Sequence, residues 1–138
     1  MKYKQLVIEK KEYVLLKQML SLSNYNRDVV FKKSIKQLMD ELATAIIIDE
    51  NEMPEDVVRF NSYVEVKLEG GWTKKFQLVV GNKSDVQNDK ISVLSPMGTA
   101  VIGHALEDIF QWEFPSGKQL NQTLLSYVRK EFLKLFKK

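Results

Sequence analysis

The chain has one histidine, His104, directly after Gly103. A catalytic base of this kind needs a nucleophile and a positioning partner within hydrogen-bond reach. No Asp-His-Ser arrangement can be argued from the spacing, so His104 reads as a loop residue. Asp49, Glu50, Glu52, Glu55 and Asp56 lie close enough along the chain to hold a divalent ion. They lack the glycine and ligand rhythm of a calcium loop, and a solvated linker facing basic residues is the simpler reading. Cysteine is absent, which removes disulfides, thiolate metal sites and a Cys nucleophile. The residue types therefore point to no catalytic set, no metal and no cofactor of the chain's own.

The elements that position these groups follow from the hydrophobic pattern. Leu6 to Ile8 reads as a short strand, and Tyr13, Leu16 and Leu20 then share one helical face over residues 10 to 20. Ser21 to Asn26 is rich in side chains that bond local backbone, which predicts a turn. Phe31, Ile35, Leu38, Leu42 and Ala45 mark a second helix over about residues 27 to 45. Pro54, closing the acidic stretch, marks the passage to a different architecture. Beyond it the pattern predicts strands over 63 to 68, 72 to 80, 91 to 94, 109 to 114 and 120 to 128, with Gly70-Gly71 as a hairpin turn. Trp72, Phe76, Phe110, Trp112 and Phe114 fall on those strands, where alternating positions carry aromatics into a core. A short helix starts at Pro96, with Ser95 as its cap and Gly103 at its exit.

At 138 residues, 44% hydrophobic and 28% charged, the chain has globular composition and room for one domain with a small appendage. A net charge of +3 is too slight to identify a nucleic-acid binder. The apolar run before Glu9 is only three residues long, Leu6 to Ile8, short of a signal-peptide core, and no apolar run approaches a membrane span. The expectation is a cytoplasmic protein with no membrane contact.

The segment Ile91-Ser92-Val93-Leu94-Ser95-Pro96-Met97-Gly98-Thr99-Ala100-Val101-Ile102-Gly103 resembles the signature of the Gre family of transcript-cleavage factors, in which a strand ends in Ser-Pro and a short helix leads to a glycine. Asp108 to Gly117 resembles the family's next strand and its Pro-x-Gly turn. Glu52 to Val58, with Asn61-Ser62, is similar to one branch, the regulator of nucleoside diphosphate kinase, which has a shortened helical hairpin. The resemblance implies an FKBP-like C-terminal domain that docks at the rim of the secondary channel of bacterial RNA polymerase, with the hairpin pointing inward. In such a fold the aromatics could also line a prolyl-isomerase pocket, although strand aromatics usually fill the core. In cleavage-competent relatives an acidic pair at the hairpin tip helps hold a second catalytic magnesium. Here Ser21 to Asn26 holds no carboxylate, and Asp28 stands beyond it beside Arg27. Each helix, at about 12 to 18 residues, spans roughly 18 to 27 Å.

The reading is an α+β protein: a helical hairpin over residues 1–50, then an FKBP-like domain over 51–138, each with its own apolar contacts. The expected function is that of a polymerase-binding accessory factor, not an enzyme, which docks near the secondary channel without stimulating transcript cleavage and meets nucleic acid only indirectly. Asp89, Lys90, Ser95, Pro96 and Met97 form the expected docking surface. The alternative is an interaction module for another partner, such as a nucleotide-metabolism enzyme. The tail, residues 129–138, mixes six charges with four large apolar residues. It reads either as an amphipathic contact segment or as a helix packed on its own domain.

Overall fold

The computed structural model describes residues 3–22, 29–68, 71, 73–80, 85–113 and 119–129. Strand β1 (Val7–Glu9) passes without a break into helix α1 (Lys10–Leu22). Glu9 explains the switch. Its carboxylate accepts from the amide of Lys11 at 2.7 Å and from that of Glu12 at 3.2 Å, satisfying two amides that a helix start leaves open and placing negative charge at the positive end of the helix dipole. Helix α1 buries Leu16 and Leu20. Helix α2 (Val29–Leu42) buries Ile35, Leu38 and Leu42 and stops short of Ala45. The predicted tip falls mostly on residues 23–28, outside the described residues, as does the side chain of Phe31.

The hydrophobic pattern does not announce strand β2 (Ile46–Ile48). It pairs in parallel with β1, Val7 facing Ile46 and Glu9 facing Ile48. Three β-branched residues favour an extended backbone there, but the partner strand lies at the far end of the helical unit in sequence.

Strands β3 (Ser62–Leu68), β4 (Thr73–Val79), β5 (Lys90–Ser92), β6 (Ile109–Glu113) and β7 (Gln119–Arg129) form a five-stranded sheet in the order β5-β4-β3-β7-β6. Its neighbours are antiparallel except for the parallel pair β4–β5. Central β3 buries Ser62, Val64, Val66 and Leu68 and turns Tyr63, Glu65 and Lys67 outward, the period of two that a half-covered sheet requires. Helix α3 (Pro96–Val101) lies so close to β5 that a Cβ on Gly98 would stand 2.1 Å from the Ser92 carbonyl oxygen.

One apolar cluster crosses residue 50: Leu16 and Leu20 of α1 and Leu38 of α2 belong with Val64, Phe76 and Met97. This corrects the expectation of separate apolar contacts. Helices of 13 and 14 residues have too little apolar surface to bury against each other alone, so they complete a core shared with the sheet and α3.

Candidate functional site

The candidate docking surface lies on one edge of the sheet. Asp85 and Lys90 exchange both backbone hydrogen bonds, at 2.9 and 2.8 Å, around a tight turn. Asp89 sits within it at φ 56°, a left-handed conformation that aspartate tolerates better than most residues. Its carbonyl accepts from the Gln77 amide at 2.8 Å. Backbone bonds thus hold Asp89 and Lys90 in place with their side chains exposed. After β5, the Ser95 hydroxyl donates to the Ser92 carbonyl at 2.7 Å and accepts from the Gly98 amide at 3.0 Å. That hydroxyl thus caps α3 and ties its start to β5, with Ser95 and Pro96 both half-exposed. Met97 is 3% exposed and belongs to the core. Its place in the expected docking surface is therefore corrected: the helix turns it inward, away from Pro96.

Sequence reasoning missed a second constellation, centred on Arg59. This residue is 5% exposed. Its Nε donates to Glu12 at 3.0 Å, one terminal nitrogen donates to Glu50, and Glu9 lies 3.9 Å away. Burial works to lower the guanidinium pKa, but the hydrogen bonds it donates to Glu50 and Glu12, with the attraction of their charges, outweigh it, and the net direction is up. Three carboxylates from β1, α1 and the turn after β2 therefore converge on one cation from the segment leading into β3. The one signal in the sequence was an arginine set among Val57, Val58 and Phe60, where a charge is retained only if paired.

His104 is also buried, at 5% exposure. Its Nδ1 stands 3.2 Å from Asp108 Oδ2, the same oxygen accepts from the Ala105 amide at 2.9 Å, and the ring lies against Phe110 with centroids 5.0 Å apart. Burial lowers the imidazole pKa, and Asp108 only partly offsets it. The neutral ring then donates from Nδ1 to the carboxylate. The residue is in a loop as expected, but the loop is packed and its partner comes four residues later.

Two members of the acidic stretch are spent on structure. Glu50 meets Arg59, and Asp56 accepts from the Tyr3 hydroxyl at 2.8 Å. Among the described residues no three His, Cys, Asp or Glu side chains are grouped to hold a metal ion, and no helix is long and apolar enough to cross a membrane. Phe76 and Phe110 are buried in the core, while the side chains of Trp72, Trp112 and Phe114 lie outside the described ones. What remains at the surface of this edge is a pair of exposed charged side chains, Asp89 and Lys90, beside half-exposed Ser95 and Pro96.

The chain is similar to known transcription elongation factors. Residues 53–126 match the family described as transcription elongation factor, GreA/GreB, C-terminal. A transcription elongation factor GreA of Clostridium botulinum is 38% identical over 93 residues, covering 67% of this chain and 58% of the relative. GreA of Syntrophotalea carbinolica is 30% identical over 100 residues, covering 72% and 63%. The chain thus spans less than two thirds of the length of these relatives. The solved transcription elongation factor GreA/GreB from Nitrosomonas europaea superimposes with a TM-score of 0.70 at 28% identity, covering 90% of this chain and 99% of the other. A family match across more than half of the residues, on a fold shared with that solved relative, establishes that the chain belongs to the GreA/GreB family of transcription elongation factors.

Proposed function

We propose that the chain is a cytoplasmic factor that docks on bacterial RNA polymerase near the rim of the secondary channel. The sheet domain, read as FKBP-like over residues 51–138, is the anchor. The helical unit, residues 1–50 folded as an antiparallel hairpin of the short kind, points inward. Family membership over residues 53–126 is the observation that carries this reading, and the Asp89-Lys90 turn with Ser95-Pro96 is the contact edge. The protein is not an enzyme, uses no cofactor, and meets nucleic acid only through the polymerase.

Docking without stimulation of transcript cleavage is the form of the activity we favour. At 1.5 Å per residue, α1 and α2 extend only about 20 Å each. Ser21 to Asn26 supplies only neutral oxygens, and a second hard cation needs clustered carboxylates. Such a factor alters transcription by occupying the channel entrance against other factors or by adjusting pausing.

The test is binding to purified core polymerase. The intact chain should bind, and a double variant Asp89→Lys with Lys90→Glu should bind at least tenfold more weakly while remaining folded. Full affinity in that variant rejects the contact edge. Absence of binding by the intact chain rejects the polymerase reading and favours a different protein partner.

A further inference from the structure

Apolar burial holds the helical unit on the sheet, but it is non-directional and does not by itself fix the angle at which α1 leaves. Strand β1 is held by its backbone: the Val7 amide donates to the Gly103 carbonyl at 3.2 Å, and the Gly103 amide donates to the Val58 carbonyl at 3.2 Å. Helix α1 follows β1 with no loop between them, so its angle is set at the joint of Glu9 and Lys10. The first fully buried side chain of α1 is Leu16, more than a turn beyond that joint. A tilt of about 15° there moves the far end of a helix about 20 Å long by about 5 Å.

Arg59 grips this joint from a fixed base. Its amide donates to the Ser62 hydroxyl at 2.9 Å, and its carbonyl accepts from the Ser62 amide at 3.1 Å, which locks it to the first residue of β3. From there the guanidinium reaches Glu12 in the first turn of α1 and Glu50 after β2, with the helix cap Glu9 3.9 Å away. A buried ion network adds little stability that well-packed apolar side chains would not, and its best-attested use is to fix register. Arginine suits that use, because its donors lie in one rigid plane, whereas a lysine ammonium is a swivelling point charge. We propose that Arg59 is a positioning residue that fixes the direction of α1 relative to β3. Resting on the polymerase reading, the proposal adds that Arg59 aims the helical unit inward from a domain docked by its Asp89-Lys90 and Ser95-Pro96 edge. Sites of this kind need their parts held to within about 10–20°, a tolerance that Leu16 and Leu20 alone do not impose on α1.

The chain has no cysteine, so Gln18→Cys on α1 and Lys67→Cys on β3, both exposed positions, take spin labels at those two sites only. With Arg59 in place, the distance between the labels in the free chain should be narrowly distributed. Arg59→Lys keeps the charge and loses the fork; it should broaden the distribution about twofold or more, with amide exchange in β3 and β4 unchanged. Should that variant fail to fold, Glu12→Ala, which removes only the grip on α1, should broaden it likewise. An unchanged distribution in a folded variant overturns the proposal. On polymerase, a photo-crosslinker at Leu22, at the exposed end of α1, should capture the enzyme roughly fivefold less in Arg59→Lys, with affinity held within about twofold. Equal losses of affinity and of crosslinking would show a merely structural role and also overturn it. Absence of binding by the intact chain rejects the polymerase reading alone, and the label distances in the free chain still decide whether Arg59 sets the direction of α1.

Discussion

Arg59 Nε donates to Glu12 Oε1 at 3.0 Å, joining the residue run that leads into the central strand to the first turn of α1. Glu9, the cap of that same helix, is itself only 5% exposed. Replacing Arg59 with Met should therefore leave buried carboxylate charge uncompensated, at a cost of about 3–5 kcal/mol. Urea unfolding measures this. A double-mutant cycle of Arg59→Met with Glu12→Gln should give a coupling of about 0.5–3 kcal/mol, the range for contacting partners; additive effects would show that the contact is energetically idle.

Leu38→Ala should weaken the whole molecule. Leu38 is 1% exposed and shares a cluster with Phe76 and Met97. Truncation of a buried Leu costs about 2–5 kcal/mol. The slowest amides of β3 and β4 should speed up together with those of α1. Loss of protection confined to residues 10–45 would restore the picture of two separately packed units.

Gly98→Ala tests the approach of α3 to β5. The added methyl meets backbone at 2.1 Å, and backbone cannot swing aside as a side-chain end can. The loss should exceed the range of about 1–3 kcal/mol usual for overpacking, and affinity for polymerase should fall with it because the Ser95-Pro96 surface moves.

Local chemistry made much of this legible. Ser95 as cap, Pro96 at the first helical turn and Gly103 at φ 80° are positions where residue type dictates backbone. The stripes Leu16-Leu20 and Ile35-Leu38-Leu42 gave the helices. Three features depended on contacts distant in sequence and stayed hidden. Ile46–Ile48 became a strand only because β1 was there to pair with it. Arg59 needed carboxylates from three other segments. Met97 looked like part of an exposed signature because sequence adjacency to Pro96 does not reveal which way a helix turns its side chains.

His104 should make stability depend on pH in a definite sense. Its folded-state pKa is lowered, mainly by burial, from the ordinary 6.5. Between the two values the unfolded chain holds more protons than the folded one, so stability is complete above pH 6.5 and falls as pH drops through 6.5 toward the lowered value. His104→Gln should flatten that part of the profile while leaving the acid loss due to carboxylates below it. An unchanged slope in the variant would assign the effect to other groups.

Transcript cleavage is the sharpest functional prediction. On backtracked polymerase the unmodified chain should bind and leave the transcript intact, since Ser23, Asn24 and Asn26 offer a second magnesium only neutral oxygens. The variant Asn24→Asp with Asn26→Glu separates the two grounds on which inactivity is proposed. If missing carboxylates were the sole defect, this pair would confer cleavage that rises with magnesium concentration. On the proposed reading, however, helices of 13 and 14 residues, about 20 Å each, hold the tip short of the catalytic centre, and a carboxylate there cannot share its metal. The doubly substituted chain should therefore bind with unchanged affinity and still fail to stimulate cleavage. Cleavage by the substituted chain alone would make charge the limit and remove reach from the account, whereas robust cleavage by the unmodified chain, free of other Gre factors, would refute the non-catalytic reading altogether.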